Sequence, residues 1–366
     1  MSMRIPQTDA KAQAAYVAEV AIKATAEMMR STKFLGGEWL TEFEYALAGY
    51  YGVEFAIACD SGTAALMASM HAVGIRDGVP FVSPSMTFIS VAEAAHFLGA
   101  KPQWVDVDAS CKWLMKPEVP NGVTAAIPVA LYGRHIPPGR YDDFHVVIVD
   151  AAQAHGQPFH KEWMAMCLSF YPGKVLGAFG DGGAVLTNNV EVARSVRAFV
   201  NHGREQGDKY EHRHYGFNFR MDALQARILM AKYQFLDDWL EGRRRVAAWY
   251  TQCLHECSFL LHEPSTMTEH SFHLYVVLLA NGIDRRAVWA HLREAGIGAG
   301  IHYPIPIHQQ ALYASNGDFT VTNLLADKCL SLPIYPEMTK RDVEQVCMAL
   351  IEACERYGGE SITVRL

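Results

Sequence analysis

The sequence predicts an α/β protein. A large domain with a mostly parallel central sheet flanked by helices is expected over residues 1–250, and a smaller C-terminal α+β domain over 251–366. Three observations carry this expectation. Short β-branched or aromatic runs alternate with helical segments from Phe55 to Thr187, the pattern of strands joined by helical crossovers. The stretch from Asp222 to Tyr250 then reads as one or two long helices, rich in Leu, Arg, Ala and Lys and without Pro. After it the pattern resets, and 366 residues at roughly 150 per domain leave room for two units.

Taken along the chain, Met1 to Arg30 set Lys11, Glu19, Lys23 and Glu27 into an Ala-rich helical pattern, without the unbroken apolar run of a signal peptide. The strand candidates are Phe55–Cys59, Phe81–Ser83, Gln103–Asp106, Thr124–Ala130, Val146–Asp150, Cys167–Phe170 and Ala184–Thr187. In the second unit, Phe272–Leu279 reads as a strand and Asp284–Ala295 as a helix ended by Gly296. Ile297–His302 reads as a further strand. The last helix is the clearest, because Val343, Val346, Cys347, Leu350, Ile351 and Cys354 recur on one face. Thr339 and Asp342 supply a capping pair at its start.

Composition removes several classes of function. Half the residues are apolar and 19% charged, which is globular and not disordered. A net charge of −7 offers no basic field for nucleic acid. The apolar runs, such as Val146–Val149 and Leu274–Ala280, fall short of the roughly 20 residues that cross a bilayer, so no membrane association is expected. Eight scattered cysteines suit a reducing compartment, and the chain reads as cytoplasmic. Cys253, His255 and Cys257 lack a second ligand pair at zinc spacing, so the two cysteines read as buried or surface thiols and no metal is expected.

The familiar nucleotide and hydrolase fingerprints are missing: no G-x-G-x-x-G, P-loop, H-E-x-x-H or G-x-S-x-G occurs. Three other features stand out. Asp60-Ser61-Gly62-Thr63-Ala64-Ala65-Leu66 follows a strand and opens a helix, where free N–H groups and the positive helix end suit a phosphate; alone, these residues read more readily as a capped helix start without ligand. Asp150 ends an apolar strand and is followed by Ala151-Ala152-Gln153-Ala154-His155-Gly156, which leaves room for a flat ring, although a helix cap would look the same. Ser169-Phe170-Tyr171-Pro172-Gly173-Lys174 precedes Gly177, Gly180, Gly182 and Gly183, so Lys174 can be buried in a glycine-framed loop and its pKa lowered toward a nucleophilic amine, although alone it reads more readily as a solvated surface lysine. Together, a phosphate loop, a strand-end carboxylate and a framed lysine are the parts that hold pyridoxal 5′-phosphate.

With these motifs, and with Pro84-Ser85-Met86-Thr87-Phe88, Gly180-Asp181-Gly182-Gly183-Ala184, Gly216 to Asp222 and Ser331 to Pro336, the chain resembles the DegT-type sugar aminotransferases from about Gly36 to the last helix. These are a branch of the fold-type I pyridoxal phosphate enzymes. The resemblance implies that Lys174 forms the Schiff base and Asp150 partners the pyridine nitrogen. It implies that Gln153 lies near the ring hydroxyl, that Gly62, Thr63 and Ser169 bind the phosphate, and that Phe88 stacks on the ring. It places Asn218 at the phosphate of the other subunit, which makes a homodimer the expected assembly. Arg220, His302, Tyr303 and His308 are expected on the substrate side, although each reads from the residues alone as structural.

The implied reaction moves an amino group from an amino acid, L-glutamate in most of the family, through pyridoxamine 5′-phosphate to a nucleotide-linked keto-deoxysugar. The run Tyr171 to Lys174 with Leu176-Gly177-Ala178 resembles enzymes that aminate C3 more than those that act at C4. A keto-cyclitol or other keto-polyol substrate, a non-catalytic regulatory relative that binds the cofactor, and a plain nucleotide-binding α/β protein are the competing expectations.

Overall fold

A computed structural model describes residues 4–108, 113–205, 210–255, 257, 260–262 and 269–358. In chain order the elements begin with α1 (Ala10–Ser31), α2 (Glu38–Tyr51), β1 (Phe55–Cys59), α3 (Gly62–Ala72), β2 (Pro80–Pro84), α4 (Ser90–Leu98) and β3 (Lys101–Val105). A small hairpin, β4 (Val107–Asp108) and β5 (Leu114–Met115), precedes β6 (Ala125–Ala126), β7 (Val146–Asp150), β8 (Ala165–Ser169), β9 (Gly183–Thr187) and α5 (Val190–Phe199). Two helices follow, α6 (Ala223–Tyr233) and α7 (Leu236–Leu254). The remainder is β10 (Leu260–His262), β11 (Tyr275–Leu279), α8 (Arg285–Glu294), α9 (Thr320–Lys328), β12 (Cys329–Leu332) and α10 (Lys340–Tyr357).

Seven strands form the main sheet in the order β1-β9-β8-β7-β6-β2-β3. From β8 to β3 every pairing is parallel, while β9 runs antiparallel to both β8 and β1. The expected mostly parallel α/β architecture is therefore present. Strands β7, β8 and β9 carry apolar residues on both faces because helices cover both, as parallel sheets require. One face packs Phe43, Leu47, Val149, Leu168 and Phe170; the other packs Ile57, Leu66, Phe81, Ile148 and Val196.

A second apolar cluster forms around β11, β12, α8 and α10, with Tyr250, Tyr275, Val277, Leu330, Val346 and Leu350 at its centre. Helix α7 serves both units: Leu236, Trp239 and Leu240 sit in the first core, and Val246, Ala247, Tyr250 and Leu254 in the second. We propose the division near residue 250, inside this helix, with one qualification for the N-terminus. Ile5 packs in the second core and pairs with Ile297, so the segment before α1 crosses from one unit to the other.

Local differences from the sequence expectation have physical reasons. The strand expected at Ile297–His302 reduces to single bridges, Ile297 with Ile5 and Gly300 with Ser331. Gln7 crowds this stretch so closely that a Cβ on Gly298 would lie 2.5 Å from the Gln7 backbone nitrogen. The strand expected from Phe272 begins at Tyr275, because Phe272 has φ 44° and its N–H donates to His270 Nδ1 at 2.8 Å. Cys253 and Cys257 pack against the second core, and Cys111 lies outside the described residues.

Candidate active site

The carboxyl ends of three strands and the start of a fourth meet at one edge of the sheet. Cys59 of β1 and Ser169 of β8 both stand opposite Gly183 of β9, and Asp150 of β7 stands opposite Cys167 of β8. The three motifs singled out in the sequence are the loops leaving these ends. They line one cavity of about 580 Å³, where open α/β sheets place ligands.

Two glycines allow that convergence. A Cβ on Gly62 would lie 2.8 Å from Ser169 Cβ, and one on Gly183 would overlap the Ser61 carbonyl. Ser61 caps α3, its Oγ accepting from Ala64 N at 3.1 Å. Helix geometry leaves the other first-turn N–H groups without intrahelical partners at the positive end of the dipole. Thr63 and Ser169 add hydroxyls on either side of this point; Thr63 Oγ1 is 2.9 Å from Ser90 Oγ.

Asp150 is buried at the floor, and its Oδ1 accepts from Ala152 N at 3.0 Å. Burial pushes its carboxyl up, while the Ala152 bond and the Lys174 charge pull it back. Lys174 borders the same cavity, and its N–H donates to Tyr171 O at 2.8 Å, closing the turn that presents it. Burial lowers its amine to about 8, against the opposing pull of Asp150. A carboxylate and an easily deprotonated amine thus share one cavity.

A polar, uncharged wall completes the cavity. Gln153 accepts from Tyr132 N at 2.7 Å and donates through Nε2 to the Tyr303 hydroxyl at 2.9 Å. Burial pushes the Tyr303 hydroxyl up, so it stays protonated. His302 pairs with Ser331 Oγ at 2.8 Å and is lowered to about 4 by burial and by Lys174, so its ring is neutral. Phe88 is 53% exposed at the rim, its ring centroid 5.9 Å from that of Tyr303.

Of the residues expected at the site, Gly62, Thr63, Phe88, Asp150, Gln153, Ser169, Lys174, His302 and Tyr303 come together. Asn218, Arg220 and His308 do not line this cavity. His308 is instead buried in a latch: Nδ1 is 2.6 Å from Ser85 Oγ, Nε2 is 3.1 Å from Asn323 Oδ1, and its ring stacks on Phe319. Arg220 lines a separate cavity and donates to Asn201 Oδ1 at 2.8 Å, and Asn218 is exposed beside it. Sequence reasoning missed Gln7, Thr8 and His273, which line the cavity without any local motif. Tyr171 and Asp181 also line it and belong to motifs already quoted, but they carried no assigned role. Among the described residues no group of His, Cys, Asp or Glu is arranged to hold a metal ion.

The donor set fits pyridoxal phosphate. Gly62 leaves a hollow beside Ser169 that a Cβ would fill, at a helix N-terminus suited to a phosphate. The remaining space holds one amine and one buried carboxylate, the pair that an aldehyde and a basic ring nitrogen require.

Comparison with known proteins agrees with this geometry. The model of the DegT/DnrJ/EryC1/StrS aminotransferase family matches residues 16–351. A UDP-N-acetyl-3-dehydro-alpha-D-glucosamine 3-aminotransferase of Acidithiobacillus ferrooxidans is 34% identical, covering 94% of this chain and 97% of its own. A UDP-2-acetamido-2-deoxy-3-oxo-D-glucuronate aminotransferase of Pseudomonas aeruginosa is 31% identical, covering 93% and 98%. Among solved structures, S. venezuelae DesV in complex with a ketimine intermediate superposes with a TM-score of 0.89 at 31% identity, covering 97% of this chain and 100% of that one.

Proposed function

Because the chain belongs to the DegT/DnrJ/EryC1/StrS aminotransferase family and is a pyridoxal-phosphate-dependent aminotransferase, we propose that it aminates C3 of a nucleotide-linked keto-sugar with L-glutamate as donor. The observation that carries this reading is the meeting of Asp150 and Lys174 in one cavity beneath the α3 N-terminus. The two curated relatives, whose names specify a 3-amination or a 3-oxo-sugar, support the position of attack.

When bound, pyridoxal phosphate supplies an aldehyde and an electron-accepting ring. The rest of the chemistry belongs to the chain. Gly62 and Thr63 at the helix start, with the Ser169 hydroxyl, hold the phosphate and fix the ring's place. Asp150, buried but with its carboxylate favoured by the Ala152 bond and the Lys174 charge, would pair with the ring nitrogen and keep a proton on it. Lys174 would be the covalent anchor and, once free, the general base whose Nζ would take a proton from the donor's α-carbon and deliver it to the carbon of the cofactor's former aldehyde. Its pKa of about 8 lies near the operating range, where such transfers are fastest. Phe88 covers the ring face at the rim.

The wall of Gln153, Tyr303 and His302 is polar without net charge, which suits hydroxyl and keto groups of a sugar. We place Asn218 and Arg220 at the partner subunit's cavity in a homodimer; both lie outside their own chain's cavity, and Asn218 is exposed. No helix among the described residues is long and apolar enough to cross a membrane, and we place the enzyme in the cytoplasm.

The test is a half-reaction. Adding L-glutamate to the cofactor-loaded enzyme converts the aldehyde form to pyridoxamine phosphate, seen by absorbance. Nucleotide-linked keto-sugars added singly then identify the acceptor by restoring the original spectrum. Conversion by glutamate with restoration by a keto-cyclitol alone would transfer the reading to that substrate class, and no conversion with any amino acid would favour a regulatory role.

A further inference from the structure

Beyond the active-site groups, one lysine among the described residues is buried and not used by the reaction. Lys232 on α6 is 2% exposed, and among the described residues no carboxylate lies within ion-pair distance of it. Its Nζ donates to the Gly177 carbonyl at 2.6 Å and lies 4.6 Å from the centre of the Phe179 ring. Buried charges are ordinarily paired, and a neutral side chain could bind a carbonyl at lower desolvation cost. A short, charge-assisted bond to one backbone oxygen is therefore an expensive device that calls for a reason.

The reason lies in what Gly177 belongs to. The loop from Val175 to Asp181 joins Lys174 to β9, and no sheet ladder holds its backbone. Val175, Leu176 and Ala178 turn inward and are buried, and Ala178 N–H donates back to Phe170 O at 2.7 Å, while other backbone groups of the loop face the helices. Three side chains meet them there. Gln13 on α1 donates to Val175 O at 3.0 Å, Lys232 donates to Gly177 O, and Gln225 on α6 accepts from Phe179 N at 2.8 Å. The loop that presents the reacting amine is thus tied at alternate residues to two helices that pack on each other.

We propose that Lys232, with Gln13 and Gln225 beside it, is a positioning residue of the amino transfer, holding the Val175–Phe179 loop so that the Lys174 amine is aimed into the cavity it shares with Asp150. This rests on Lys174 being the reacting amine. Lys232 touches neither cofactor nor substrate; it acts through the Gly177 carbonyl, three residues from Lys174. Misplacing a reacting group by about 1 Å can cost roughly a hundredfold in rate, so a loosened loop should slow the chemical step and leave substrate binding alone.

The test compares wild type with Lys232→Met, Gln13→Leu and Gln225→Leu as cofactor-loaded enzymes. Borohydride reduction followed by peptide mapping first reports where the cofactor is attached. Single-turnover kinetics with L-glutamate then separate the limiting rate from the half-saturating concentration, and thermal melting reports stability. In Lys232→Met we expect the tag to remain on Lys174, the limiting rate per tagged site to fall about 10- to 100-fold, and the half-saturating concentration to change less than about twofold. Gln13→Leu and Gln225→Leu should show the same split with a smaller fall, and they carry the test should Lys232→Met not fold. A purely structural role would lower the melting temperature with an unchanged rate per tagged site, and that result overturns the proposal while leaving the assignment of Lys174 intact. A tag on another residue of the wild type would overturn the assignment itself, and this inference with it.

Discussion

The lowered pKa of Lys174 gives the sharpest quantitative prediction. An ordinary lysine titrates near 10.5, so at pH 7 only about 0.03% of it is the neutral amine. Burial brings Lys174 to about 8 and makes about one-tenth of it neutral at the same pH, a gain of roughly 300-fold in the reactive form. The sign of each contribution can be checked separately. Burial lowers the value because the charged amine loses water; the Asp150 carboxylate raises it because the charged amine gains a partner. Asp150→Asn removes the second effect and should move Lys174 further down, below about 8. Trace acetylation of the cofactor-free protein with acetic anhydride across pH 6 to 11, with the Lys174 peptide quantified by mass spectrometry, reads this titration directly. Half-maximal labelling near pH 8 in wild type, and at lower pH in Asp150→Asn, is expected. A wild-type midpoint near that of ordinary lysines, or an upward move in Asp150→Asn, would refute the electrostatic account of the site.

Three other outcomes follow from the same geometry. Asp150→Asn, although it makes the amine more reactive, should lower turnover at least about a hundredfold with the cofactor still bound, because the ring nitrogen loses its anionic partner; steady-state kinetics on the loaded enzyme checks this. Gly183→Ala should weaken cofactor binding and lower the melting temperature, since its Cβ would overlap the Ser61 carbonyl and drive the α3 start away from Ser169, at about 1–3 kcal/mol; cofactor titration and thermal melting measure the two effects. Asp106→Ala should cost about 2–4 kcal/mol, because that buried carboxylate accepts from Thr322 N at 2.7 Å and Val321 N at 3.0 Å and so fastens α9 of the second unit to the end of β3. Chemical denaturation followed by circular dichroism reports it.

Much of the site could be read in the sequence because its three motifs are local. Val146–Asp150 needed only a β-branched run ended by a carboxylate, and the strand has those bounds. Thr339 and Asp342 form the expected reciprocal cap, with Thr339 N donating to Asp342 Oδ2 at 2.8 Å. What escaped was set by contacts between distant segments. Gln7 and Thr8 reach the cavity because Ile5 is anchored against Ile297, a pairing across almost the whole chain that no local pattern reveals. His308 looked like a substrate residue from its place after Tyr303, but Ser85, 223 residues away, claims it together with Asn323 and Phe319. The stretch from Asp222, read as one or two helices, divides at Gln234–Phe235, where no Pro or Gly marks the break. The Lys232 tether was hidden for the same reason: one lysine in a helix looks solvated until Gly177 is placed against it.

The central claim is that Lys174 carries the cofactor. Reducing the loaded enzyme with borohydride and mapping its peptides by mass should find the pyridoxyl mass on Lys174 and on no other residue, with Lys174→Ala carrying none. A pyridoxyl group on a different lysine, or a wild-type protein that takes up none after incubation with pyridoxal phosphate, would contradict it.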